Sequence, residues 1–253
     1  AEKYGDNLSA EHHHLIRDVD SCYLSSSLAV DLAKKYDADL HVFHLTTEKE
    51  MELFTSGMID GKKITAEVCV HHMLLNDSYY RELGNQIKCN PSIKTETDRQ
   101  ALIKSLKEDK IDIIATDHAP HTWDEKMQDY KDAPAGLPLV QHGLQILMDF
   151  YHKDILSLET IVEKTSHNVA KRFQVKDRGY IREGYYADLA VLDIDKSYEV
   201  TKENILYKCG WSPFLGKTFP SSIYLTIVNG NIAFQDGEIS KDLPFGMQIE
   251  FDR

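Results

Sequence analysis

Asp117, His118 and His121 crowd the stretch ATDHAPHT, which directly follows the apolar run IDIIA. A carboxylate and two imidazoles at the tip of a buried strand can ligate a zinc-like cation or move a proton. The alternative is a polar turn with incidental histidines. Three such side chains straight after an apolar strand favour chemistry. More of the same types recur at comparable places. His44 stands near the end of HVFHL, and His71 and His72 follow ITAEVCV. In parallel α/β folds the carboxyl ends of the strands carry the active site, because loops converge there on rigid supports. Two ligands do not complete a catalytic metal site, which takes three protein ligands and a water.

The remaining histidines have plainer readings. His41 and His44 are three apart on a predicted strand, so they face opposite sides and at most one points into a site. His71 and His72 diverge for the same reason. His12–His14 read as a solvated run in a polar segment, and His142, His152 and His167 as structural residues on helices.

These side chains need elements to position them. Apolar spacing at Leu24, Leu28, Val30, Leu32 and Ala33 predicts a helix over Asp18–Asp37. DLHVFHLTT reads as a strand, EKEMELFTSGM as a short helix, and KKITAEVCVHHMLL as a second strand running into a loop. QIKCNP is extended ahead of its proline, a doubtful further strand. TETDRQALIKSLKEDK is a helix capped by Thr95 or Thr97. IDIIATD is the next strand, and two helices follow, the second capped by Ser157. From Gly179 the period changes to short strands, with Asn229–Gly230 as the strongest hairpin signal. The expected organisation is residues 1–178 as βα units of a parallel sheet and 179–253 as a β-rich appendage. A complete eight-unit barrel takes about 250 residues. The three clear strands here therefore predict either an open sheet or part of a longer chain.

Composition narrows the class. Net charge is −12, with 42% hydrophobic and 28% charged residues. That argues against nucleic acid as a general partner and for a soluble, cytoplasmic life, with no membrane span. Cys22, Cys69, Cys89 and Cys209 show no CxxC spacing, which fits reduced thiols.

ATDHAPHT resembles the eighth-strand signature of dihydroorotases, in the metal-dependent amidohydrolase superfamily. VFHLTT resembles the sixth-strand His motif, ITAEVCVHHMLL the seventh-strand segment, and KCNPSIK the Asn-Pro loop over the substrate. APAGLPLVQHGL resembles the loop and helix after the signature. GYIREGYYADLAVLDID and TIVNGNIAF resemble the β-domain trailer of the superfamily. The resemblance implies a partial (β/α)8 TIM barrel, roughly strands six to eight, with part of a small β-domain. It implies His44 as a ligand of one metal ion, and Asp117 as a ligand of the other and the general base or acid. It implies Asn90, His121 and the backbone at Ala135 and Gly136 as holders of the substrate ring. Two zinc ions per full-length site are implied, as is reversible interconversion of dihydroorotate and N-carbamoyl-L-aspartate in pyrimidine synthesis. A homodimer and association with aspartate transcarbamoylase are the implied assemblies.

Departures from the pattern matter equally. The first-strand His-x-His pair, its neighbouring arginine, the bridging lysine of the fourth strand and the fifth-strand His ligand are not in this sequence. The expectation is that they precede Ala1 and that this chain alone lacks part of the site. The alternatives are a hydantoinase- or allantoinase-like cyclic amidase, and a non-catalytic homologue serving as a partner subunit.

Overall fold

The structure, a computed structural model, describes residues 5, 7–242 and 244–252. It divides into two compact units, Ala1–Gly143 with Ile205–Leu215, and Leu144–Asn204 with Gly216–Arg253.

In the first unit, helix α1 (His13–Ile16) leads into α2 (Val19–Tyr36). Asp18 caps α2 by accepting from the Ser21 N–H, and Asp37 ends it in left-handed backbone. The apolar spacing of α2 marks two faces. Val30 and Ala33 are buried, whereas Leu24, Leu28 and Leu32 are 72%, 61% and 46% exposed. Strands β1 (Leu40–Val42), β2 (Ile64–Cys69) and β3 (Ile113–Ala115) form a parallel sheet in the order β1-β2-β3. β2 is central, with Thr65, Ala66, Val68 and Cys69 at 0% exposure, as expected of a parallel strand covered on both faces.

Between β2 and β3 run α3 (Val70–Leu74), α4 (Tyr80–Leu83) and α5 (Glu96–Lys107). Thr95, not Thr97, caps α5, through a reciprocal box with Asp98. Leu102 and Leu106 from α5 and Met73 from α3 are fully covered. QIKCN forms a 3-10 turn, Gly84–Ile87, and an extended segment rather than a strand. The short helix α6 (Trp123–Lys126) closes the signature loop, capped by Thr122 with Glu125.

The second unit carries most of α7 (Gly143–His152), then α8 (Leu158–Val162), a π turn at Glu163–His167 and α9 (Asn168–Phe173). Its strands are β4 (Leu189–Asp193), β5 (Tyr198–Glu199), β6 (Thr218–Phe219), β7 (Ser222–Val228), β8 (Asn231–Gln235) and β9 (Glu238–Ile239). Antiparallel pairing gives the order β4-β7-β8-β9, with β5 and β6 apart. Asn229 and Gly230 both take positive φ, 50° and 80°, as a type I′ hairpin turn demands.

The His12–His14 segment is not a solvated run. His13 is 2% exposed, and its ring nitrogens lie 2.7 Å from the Tyr130 hydroxyl and 2.8 Å from the Cys89 carbonyl. Burial lowers its pKa from 6.5 to about 4. The folded state thus keeps this imidazole neutral where the unfolded chain would protonate it. Its contribution is complete above 6.5 and is lost as pH falls through that value toward 4. Burial of His142, also lowered to about 4, acts in the same direction. The urea midpoint is therefore expected to drop between about pH 7 and about pH 4.5. His13→Gln should show a smaller drop, and an equal drop would remove His13 from the acid response.

Candidate active site

The residues singled out in the sequence sit at or beyond strand ends. β1 stops at Val42 because His44 turns into left-handed backbone at φ 42°. Leu45 then rejoins the sheet, its N–H donating to the Glu67 carbonyl at 2.9 Å. Beyond β3, Asp117 takes φ 49°. Such backbone costs about 1–3 kcal/mol for a residue with a Cβ and concentrates where a side chain must be aimed.

His41 and His44 both line one cleft of about 560 Å³, together with Arg17, Cys22, Asn90 and Pro91. His41 is held against Thr65 Oγ1 at 2.8 Å and Glu67 Oε2 at 3.0 Å.

His71 and His72 do not diverge as successive strand residues would. The chain leaves β2 at Cys69 and turns helical, so their ring centroids lie 3.9 Å apart. Both are buried. His72 Nε2 donates to the Pro91 carbonyl at 3.1 Å, while its Nδ1, both nitrogens of His71 and Nδ1 of His44 have no hydrogen-bond partner. Cys69, His71 and His72 can present ligand atoms within 4.8 Å of one another. A buried unpaired nitrogen costs about 1–3 kcal/mol, and a cation is one species that satisfies an imidazole lone pair. A donor group able to hold a metal ion is therefore present.

Burial, with His44 nearby, lowers His71 to about 3. Burial pushes the Cys89 thiol up to about 12, with the Asp117 carboxylate adding to the rise, and both also raise Cys69.

Loops beyond the strands carry the other singled-out residues. Asn90 is exposed and enters a cis peptide bond with Pro91. His121 Nε2 lies 3.2 Å from the Ala135 carbonyl. The Gly136 N–H donates to the Lys88 carbonyl at 2.9 Å. The His118 Nδ1 accepts from the Leu139 N–H at 2.9 Å, and its ring stacks on Tyr207. Residues without an assigned role in the sequence reading also support these loops. Trp211 Nε1 donates to the His121 carbonyl at 2.8 Å, and the Gln141 N–H donates to the Tyr207 hydroxyl at 3.0 Å. Their only signal was a Gly-Trp and a Pro inside otherwise unassigned sequence.

Comparison with known proteins agrees with this arrangement. The sequence model of the Amidohydrolase family matches residues 27–233. A dihydroorotase of Endomicrobium trichonymphae is 36% identical over 205 residues, covering 81% of this chain and 49% of that protein. A dihydroorotase of Ligilactobacillus salivarius is 37% identical over 224 residues, covering 85% and 51%. The chain spans about half the length of the curated relatives it matches. Among solved structures, the L-hydantoinase of Arthrobacter aurescens superposes with TM-score 0.79 at 24% identity, over 88% of this chain and 51% of that one. The dihydropyrimidinase of Brevibacillus agri gives 0.82 at 20%, over 92% and 52%. At those identities the likeness is one of fold. The α/β fold with its parallel sheet, the donor group at the strand ends and the match over most of the sequence lead to one conclusion: this chain belongs to the amidohydrolase family.

Proposed function

We propose that the chain is the later half of a dihydroorotase, which reversibly hydrolyses the cyclic amide of dihydroorotate to N-carbamoyl-L-aspartate in pyrimidine synthesis. The observation that carries this reading is that relatives at 32–37% identity over most of the chain are named dihydroorotase. Hydantoinases share the fold at 18–24% identity and support the second reading, a hydantoin-type cyclic amidase. Residues 1–178 are assigned to the barrel and 179–253 to its β-rich appendage.

His44 and Asp117 are the proposed metal holders in this chain, zinc being the proposed ion and two the proposed number per complete site. The partnerless His44 Nδ1 fits that role. When bound, the metal supplies Lewis acidity and a water of lowered pKa. Asp117 takes a proton at its carboxylate and delivers it to the ring nitrogen as the amide bond breaks. Asn90, His121 and the backbone at Ala135 and Gly136 hold the ring, and His121 donates a hydrogen bond where negative charge develops. A homodimer, association with aspartate transcarbamoylase and a cytoplasmic location belong to the same proposal. No helix among the described residues is long and apolar enough to cross a membrane.

The test is release of carbamoyl-aspartate from dihydroorotate by the full-length, zinc-loaded protein, with hydantoin and dihydrouracil as competing substrates. Preference for either competitor would favour the second reading. Asn90→Ala is expected mainly to raise KM, and His121→Ala to lower kcat by about 10²-fold, as for loss of a hydrogen bond to developing charge. Unchanged kinetics in both variants would remove the roles assigned to them.

A further inference from the structure

Lys126 is fully buried, at the end of the short helix that follows the signature loop. A buried ammonium is kept only where its donors are used. Lys126 Nζ donates to the Lys88 carbonyl at 3.0 Å and to the Pro134 carbonyl at 2.9 Å. The Lys88 carbonyl also accepts from the Gly136 N–H, so one oxygen ties the ammonium to the substrate-loop backbone. Lys88 sends its own buried ammonium to the Tyr130 and Ala133 carbonyls. Two lysines therefore cross-brace three segments. One is the signature loop with His121, one the Lys88–Asn90 segment, and one the Ala133–Gly136 loop. Neither lysine is paired with a carboxylate among the hydrogen bonds it makes here. Each points instead at backbone carbonyls of loops with no ladder of their own.

We propose that Lys126 is a positioning residue for substrate binding, fixing the spacing between Asn90, His121 and the Ala135–Gly136 backbone by bridging the Lys88 and Pro134 carbonyls. This rests on the ring-holding roles proposed above for those residues. The chemistry suits an ammonium. Three N–H donors on one small centre can reach two carbonyls from different loops. Desolvation lowers the pKa of Lys126 to about 8, with the Lys88 charge lowering it further and Cys89 opposing. The group therefore remains mostly charged at neutral pH, in surroundings that favour release of its proton.

The experiment compares Lys126→Met with the parent in the full-length protein. Amide hydrogen exchange at Gly136 is expected to quicken about tenfold, while Val68 in the central strand keeps its protection. For dihydroorotate, KM should rise about tenfold with kcat within about threefold. A purely structural role would instead reduce the active fraction, which lowers apparent kcat and leaves KM alone. The exchange measurement needs no substrate. A parent that does not turn over dihydroorotate would count against the proposed function, and the Gly136 amide would still decide the bracing role. If Lys126→Met does not fold, Lys126→Gln, which can donate to one of the two carbonyls, takes its place. A Gly136 amide as protected as in the parent, or a loss in kcat with unchanged KM, overturns the proposal.

Discussion

Asp117→Asn in the full-length protein is expected to lower kcat for dihydroorotate by about 10³-fold, the range for removing a positioned acid–base group. The substitution suits the position. Asn has nearly the same shape, and it tolerates left-handed backbone, which Asp117 adopts at φ 49°. The fold should survive, so a lost rate reports lost chemistry. Asn cannot take up and return a proton as a carboxylate does, and it is a weaker ligand for a hard or borderline cation. A second readout is independent of turnover. The Asp117 charge helps to raise the Cys69 and Cys89 thiols, so both should titrate lower in the variant. Metal content, kcat and thiol titration are the measurements. A kcat within tenfold of the parent would take Asp117 out of the mechanism.

Gly136→Ala should be the most damaging single methyl in the loops, destabilising by about 3 kcal/mol through combined strain and collision. Gly136 has φ 140°, which L side chains rarely adopt. A Cβ there would also meet the Ala119 carbonyl inside van der Waals contact, lie 2.8 Å from the Ala119 Cβ and 3.2 Å from His121 Cδ2. Relief requires the 119–121 and 135–136 segments to part, which breaks the geometry around Asn90 and His121. Gly57→Ala separates the two effects, since Gly57 has φ 127° but open space around its Cβ position. Denaturant unfolding of both variants should show Gly136→Ala losing clearly more. Equal losses would mean that the loop yields and that the close approach is not required.

Local order explains where sequence reasoning succeeded. Caps and turns depend on side chains bonding their own neighbours. Ser157, Thr95 as one of two cap candidates, and the Asn229–Gly230 turn were therefore legible from residue type and spacing. The parallel strands were legible too, because burial on both faces demands continuous apolar runs. The strand ends were harder. His44 leaves the ladder through one left-handed residue, and nothing in HVFHLTT marks that bend. His71 and His72 were read as diverging strand residues, but β2 gives way to a helical turn directly at Cys69.

The amino-acid sequence by itself determined the three parallel strands, the long helices beside them, the change to β-structure after Gly179 and the placing of His44 and Asp117 just past strand ends. Each follows from periodicity or from chemistry local to a few residues. Only the tertiary structure decided which face of α2 is covered, because two apolar faces on one helix look alike in sequence. It also decided that His13 is an anchor rather than a solvated residue, through partners at Tyr130 and Cys89 far along the chain. Lys88 and Lys126 belong to the same class. A lysine in sequence reads as surface, and only distant carbonyls converging on its ammonium make it an internal brace.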